Sequence, residues 1–302
     1  SFKDILKKEN QEKLRKKNVV FVPHRSFQAY LDFNYEAIEK EFEVPIFGNR
    51  KLLRIEERGI KPNQYDLLSE AGIKTPKLFK TYKQIDRPVI VKVLEKERNF
   101  ERAFFLAKSP QEFLKKSKEL VSKGVFTKDA LDNAAIEEFL PGVQVNLNYF
   151  YSPISQRLEF IGSDTSRQTN AEGLSRLNSL FRTDSEKYTP LKFEEAGHIA
   201  VTLLESMLLD VFEIGERFVK AAKKFSPAGV IGPFALQTFI VPGPPKKEFV
   251  VFDLACRMPG SPGIKATPYS EYLWGKPVSM GERVAMEMKE ARDQAKLSEV
   301  IT

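Results

Sequence analysis

The stretch VIVKVLEKERNFERAFFLAKSP, residues 89–110, decides the fold. Val89-Ile90-Val91 is apolar and β-branched up to Lys92, and Ala103-Phe104-Phe105-Leu106 returns as a second apolar run, so the pair reads as a β-hairpin. Its turn is packed with charge where glycine would be expected. Residues 95–102, EKERNFER, set Glu95, Glu97 and Glu101 against Lys96, Arg98 and Arg102. Downstream, Ser109 reads as a helix N-cap with Pro110 in the first turn, Glu112 completing a capping box and Gly124 as the stop. Upstream, a helix ends at Gly72, and Pro76, which cannot continue it, opens an extended segment.

Farther out, VQVNLNYFYS, RLEFIGSDTS, GPFALQTFIV and EFVVFDLACR read as strands, with a helix through VFEIGERFVKAAKKF. The last two strands are separated by proline and glycine, which predicts a hairpin. A final helix is capped at Ser279, with Glu282 three residues on. Before the hairpin, Val19–Val22, one helix through FQAYLDFNYEAIEKEF and a short strand in VPIFGN predict a parallel βαβ unit. The first segment, SFKDILKKENQEKLRKKN, reads as a charged helix feeding its first strand, so that the chain starts in the middle of a fold, which predicts an upstream part of the same sheet.

The length, 302 residues, suits about two domains of roughly 150 residues. No apolar run approaches the roughly 20 residues of a membrane helix, and no secretory leader is visible, so no membrane partner and a cytoplasmic location are expected. Cys256 alone excludes an intrachain disulfide or a multi-cysteine zinc site. With only two histidines, His24 and His198, a metal here would take oxygen ligands. The net charge of +7 comes from 48 basic and 41 acidic residues interleaved along the chain, a pattern of solvated surface that argues against a nucleic-acid partner.

Two constellations carry chemistry. AAIEEFLPG, residues 134–142, reads as a strand broken at Pro141-Gly142, offering main-chain donors and acceptors beside apolar side chains, as an adenine ring requires; the alternative is an exposed edge strand with two solvated glutamates. In the late hairpin, Gln237 and Asp253 project toward one point, as a Mg²⁺ pair or as a structural hydrogen bond. Arg257 suits a phosphate, or a surface ion pair.

AGIKTP, VIVK, a loop, IEEFLPG and the two late strands occur in the order of an ATP-grasp enzyme. VPHRSF, VPIFGNRKLLR, NYFYSP, LLESML, GVIGPFALQ, VSMGERVAMEMKEA and SEVIT resemble, over nearly the whole chain, the archaeal formate-dependent ligases that make 5-formaminoimidazole-4-carboxamide ribonucleotide (FAICAR). The resemblance implies an α/β (α+β) chain. It would be an ATP-grasp fold with a partial N-terminal pre-ATP-grasp βαβ domain at 1–60, a lid subdomain with its leading helix at 61–140 and a core subdomain at 141–302. It implies an ATP-dependent carbon-nitrogen ligase of purine synthesis using ATP and Mg²⁺. Formate becomes formyl phosphate, which the 5-amino group of the aminoimidazole-carboxamide ribonucleotide (AICAR) attacks; a homo-oligomer is expected. By resemblance Lys92 contacts ATP phosphates, Glu137, Glu138, Phe139 and Leu140 line the adenine, Gln237 and Asp253 hold Mg²⁺, and Arg257 serves the reacting phosphate. His24, Ser26 and His198 fall at substrate positions.

The departures lie in the same places. Family members carry a glycine-rich loop where EKERNFER stands, which predicts a lid that closes poorly and slows phosphoryl transfer; the alternative is a plain solvated hairpin tip. Arg25 stands for a glycine, His198 for an asparagine and Asp253 for a glutamate, and MPGSPG replaces a small-residue loop. The alternative function is a paralogue that binds nucleotide but has a different substrate or no ligase activity.

Overall fold

The computed structural model describes residues 2–94, 104–189, 194–243, 245–260, 265 and 267–302. In chain order its helices are α1 (Lys8–Lys16), α2 (Arg25–Tyr30), α3 (Tyr35–Lys40), α4 (Gln64–Glu70), α5 (Pro110–Ser122), α6 (Lys128–Asp132), α7 (Thr169–Ser175), α8 (Ser179–Tyr188), α9 (Leu208–Phe225), α10 (Tyr269–Trp274) and α11 (Met280–Asp293). Its strands are β1 (Leu78–Phe79), β2 (Val89–Lys92), β3 (Phe104–Ala107), β4 (Ala135–Glu138), β5 (Val143–Ser152), β6 (Arg157–Gln168), β7 (Glu195–Val201), β8 (Gly232–Val241) and β9 (Glu248–Ala255). Backbone packing gives two compact units. One comprises Ser1–Thr75, Val145–Asp164 and Ala200–Thr302; the other comprises Pro76–Gln144 and Thr165–Ile199. The expected lid segment, 61–140, shares residues 76–140 with the second unit.

The second unit contains the sheet β1-β4-β2-β3, antiparallel throughout. The hairpin expected at 89–110 forms with Lys92 opposite Phe104, and its charged turn lies outside the described residues. Val89, Val91, Phe105 and Ile136 face a core closed by Phe113 of α5 and by Phe126. Ser109 caps α5, its Oγ accepting from the Glu112 N–H. The Glu112 carboxylate reaches the amide of Lys108 at 3.0 Å, so the expected reciprocal box closes one residue early.

A five-stranded sheet runs β7-β6-β5-β8-β9, of which β8, β9, nearly all of β5 and the first part of β6 belong to the first unit. Helix α9 covers one face with Val211, Ile214, Phe218 and Ala222, a helical 3.6-residue stripe, against Tyr149, Phe234 and Leu236. Phe234 stacks between Tyr149 and Phe218, with centroids 4.9 and 5.1 Å away. The expected hairpin of β8 and β9 is present, with Gln237 opposite Asp253 beside a bulge.

Two readings change near the N-terminus. The single helix expected over residues 27–42 is two helices, α2 and α3. Asp32 and Phe33 take left-handed φ values of 53° and 55° between them, and Asn34 caps α3 by accepting from the Ala37 N–H at 3.1 Å. The flanking strands contract to one parallel bridge, Phe21 with Ile46, in which the Phe21 N–H donates to the Pro45 carbonyl and the Phe47 N–H to the Phe21 carbonyl, each at 2.8 Å. Gly72 has φ +61°, as the expected helix stop requires. Among the described residues no helix is long and apolar enough to cross a membrane.

Candidate active site

In the first unit, alternation along β8 and β9 sends Phe234, Leu236 and Leu254 into the core beneath α9, and Gln237 and Asp253 to the opposite face. As register partners, those two leave the sheet on the same side. Asp253 Oδ1 also lies 3.1 Å from an Arg58 nitrogen and accepts the Leu254 N–H at 3.1 Å. With the Gln64 amide oriented by its neighbours, its nitrogen donates to the same Asp253 oxygen at 3.0 Å and its oxygen accepts from Arg58. Among the described residues no cluster of three or more His, Cys, Asp or Glu side chains forms a metal cage. The Gln237–Asp253 pair offers the hard oxygen donors that Mg²⁺ takes alongside phosphate and water.

Three of the expected site residues meet in this unit. His24 forms a parallel bridge with Met258, and the Met258 N–H donates to the Pro23 carbonyl at 3.1 Å. This sets the start of α2 beside the chain leaving β9. His24 caps α2 through Nδ1, which accepts the Ser26 N–H at 3.2 Å. Arg257 pairs with Glu56 at 3.2 Å, a buried contact and not the surface ion pair weighed above. Arg25 approaches Glu56 at 3.4 Å and Glu57 at 3.5 Å. Glu56 is 5% exposed, and burial raises its carboxyl above the usual range although Arg257 and Arg25 oppose the shift. The Cys256 N–H donates to its other oxygen at 2.9 Å. Burial likewise raises the Cys256 thiol, so this cysteine is held as the neutral thiol.

Sequence reading missed Glu56, Arg58 and Gln64, because IEERG looks like a solvated charge run. A signal existed. Arg50–Glu56 is a 3-10 helix, whose period of three sets Glu56 on the side of the buried Leu53.

The second unit holds the expected nucleotide residues. Val89 and Val91 face its core, so Lys92 emerges on the other face of β2, where Ile90 opposes Glu137 of β4. Lys92 Nζ reaches Glu137 Oε2 at 2.6 Å, and the Glu137 side chain is only 1% exposed. The Glu138 N–H donates to the Lys77 carbonyl at 2.8 Å and the Phe139 N–H to the Pro88 carbonyl at 2.9 Å. Those two donors are therefore used within the unit, and an adenine edge would draw on the Glu138 carbonyl and on Leu140. Glu138 itself meets Arg87 at 3.1 Å. His198, on β7, also lies in this unit and is 2.8 Å from Glu195, which accepts from Ser166 as well.

Residues 1–79 match a family described as a protein of unknown function (DUF1246), and residues 112–302 match a domain of unknown function (DUF1297). A structure titled IMP biosynthesis protein PurP, from Thermococcus kodakaraensis, superposes with a TM-score of 0.71 at 30% identity, covering 94% of this chain and 80% of that one. The N5-carboxyaminoimidazole ribonucleotide synthetase purK, crystallised with ADP, shares only the fold: its TM-score is 0.57 at 9% identity, over 92% of this chain and 66% of that one. The architecture is accordingly the ATP-grasp fold. The 5-formaminoimidazole-4-carboxamide-1-(beta)-D-ribofuranosyl 5'-monophosphate synthetase of Methanopyrus kandleri is 39% identical over 302 residues, spanning all of this chain and 81% of the relative. This chain belongs to that synthetase family.

Proposed function

We propose that the chain formylates AICAR to FAICAR at the expense of ATP. A formate oxygen attacks the γ-phosphorus, ADP leaves, and formyl phosphate forms. The 5-amino nitrogen then attacks the formyl carbon, the carbon-oxygen bond to phosphate breaks, and the amine gives up a proton. The observation that carries this reading is the convergence of His24, Ser26 and Arg257 around the His24–Met258 bridge, two substrate candidates beside an arginine held by a buried carboxylate.

Arg257 orients the anionic formate or formyl phosphate, with Glu56 fixing its guanidinium. Lys92 serves the ATP phosphates from its strand end, and Leu140 with the Glu138 carbonyl serves the adenine. His198 serves the ribonucleotide. Gln237 and Asp253 would hold Mg²⁺, which supplies charge neutralisation on the phosphates. Positioning and charge neutralisation provide most of the catalysis in such a phosphoryl transfer. No observation favours the reading of a paralogue without ligase activity.

The test is turnover with ATP, formate and AICAR. ADP and FAICAR should appear together and only when formate is present, and Arg257→Met should lower the rate at least 10-fold. ADP release indifferent to formate sinks the proposal. A rate at or above roughly 1 per second, typical of enzymes, would also remove the expectation of a slow lid drawn from the charged turn.

A further inference from the structure

Three polar side chains in the first unit have no role in the preceding reading: Asn146 and Asn148 on β5 and Asp164 on β6. Asn146 and Asp164 are register partners. The Nδ2 of Asn146 donates to one oxygen of Asp164 at 2.8 Å, and the Nδ2 of Asn148 to the other at 2.6 Å. Since a carboxylate oxygen accepts in these contacts, both amide groups are held in one orientation, with nitrogen toward Asp164 and oxygen turned away from it. Asn146 is 5% exposed and Asn148 6%. Both Oδ1 atoms are buried, and among the described residues they accept no hydrogen bond. A buried acceptor left without a donor is costly, and one such atom is the usual signature of an absent partner. Here there are two side by side.

Their place in the sheet says what the partner is. Val145, Leu147 and Tyr149 of β5 enter the core under α9, so Asn146 and Asn148 leave the opposite face. Gln237 and Asp253 leave that same face. Strands β5 and β8 are neighbours, and the Thr238 hydroxyl donates to the Val145 carbonyl at 2.7 Å, so Asn146 and Gln237 each adjoin one end of a single cross-strand bond. Gly162, register partner of Asn148, lies under Thr267: an added Cβ would come within 2.5 Å of the Thr267 hydroxyl. The asparagines therefore sit between the proposed metal pair and Thr267.

We propose that Asn146 and Asn148, oriented by Asp164, form a double acceptor for the N–H groups of the acyl-accepting substrate, an aminoimidazole carboxamide. This rests on the functional reading given above and adds the specificity device for its nucleophile. A molecule with an exocyclic amine beside a carboxamide offers two N–H donors from neighbouring ring positions, and the paired oxygens match that pattern. A phosphate or carboxylate brings only acceptors and is rejected there. A site built around buried acceptors discriminates strongly against analogues lacking the matching donor, because such analogues leave the acceptors unpaired. Asp164 is a positioning residue: it fixes which end of each amide is presented.

Asn146→Ala and Asn148→Ala, each measured for both KM values, provide the test. The expected result is an AICAR KM raised about 10-fold or more, as for loss of one buried hydrogen bond, with the ATP KM within about twofold of the unmodified protein. Asp164→Asn keeps the shape but removes the carboxylate that orients the amides, and should raise the AICAR KM as well. A merely structural cluster, satisfied by a buried water, would instead lower the melting temperature and leave the AICAR KM unchanged, or shift both KM values together; either result overturns the inference. Calorimetric titration of the unmodified protein with AICAR separates the two proposals. No AICAR binding there removes the functional reading and the inference with it, whereas normal binding with indifferent variants removes the inference alone.

Discussion

Lys92 and Glu137 show how one residue's chemistry depends on another 45 positions away. The 2.6 Å pair joins a lysine at a strand end to a glutamate that is 1% exposed at its side chain. Lys92→Ala should cost about 3 kcal/mol, since it leaves a buried carboxylate without this cation, and urea denaturation measures the loss. Adding Glu137→Gln should recover most of that stability. It should not restore the thermal shift produced by ATP, if Lys92 also serves the phosphates. A double variant that regains both stability and the ATP shift would assign Lys92 a purely structural role. The lysine was legible as a cation ending an apolar strand. Its partner was not, because nothing local marks Glu137 as buried and Glu138 as the one turned to Arg87.

At the scale of elements, local rules held wherever the sequence supplied its own partners. The N-terminus of α4 is a complete capping box. Asn63 accepts from the Tyr65 N–H at 3.0 Å and Asp66 accepts from the Asn63 N–H at 2.8 Å, with Lys61 2.8 Å from Asp66. Burial raises the Asp66 carboxyl, but the bonds from Lys61 and from the Asn63 N–H outweigh it and hold the pKa below the ordinary 3.8. A depressed carboxyl contributes stability that is present above the unfolded value and lost as pH falls through the folded one. Asp66→Asn should therefore cost about 1 kcal/mol near neutral pH, in the range of capping interactions. The difference should shrink as pH drops below 3.8. Equal stability of the two proteins at pH 7 would remove the carboxylate's role. Helices α2 and α3 show the opposite case. Their apolar spacing reads as one helix, and only the left-handed turn at Asp32 and Phe33 divides it.

At the scale of the molecule, Arg283 ties distant parts of the first unit together. It is 1% exposed, gives Glu159 two bonds of 2.8 and 3.0 Å, and gives Glu287 one of 2.8 Å. Its guanidinium lies 4.2 Å from the ring centre of Phe150 and 5.0 Å from that of Trp274. Ser152 and Trp274 donate to the same two carboxylates. Arg283→Met should lower stability by about 3 kcal/mol, because buried Glu287 loses its cation and buried Glu159 keeps only Arg157, 3.0 Å away. The urea midpoint should fall while the m value stays the same; an unmoved midpoint would show that the carboxylates are satisfied without Arg283.

What the sequence by itself determined is what short-range periodicity and caps encode. It placed the hairpin at 89–110, the long helix before β8, the pairing of β8 with β9, and the caps at Ser109 and Ser279. The quoted motifs carried the family as well. The Gln237–Asp253 juxtaposition was readable for the same reason: two strands joined by a proline- and glycine-rich turn fold back on each other, and alternation places side chains on faces. The tertiary structure alone decided which polar residues are buried. Glu56, Asp164 and Arg283 sit in stretches that look solvated, and each is enclosed by elements far away in the chain. The energy of a charged or amide group depends on whether those remote elements remove its water and provide a partner, and no local pattern in the sequence records that.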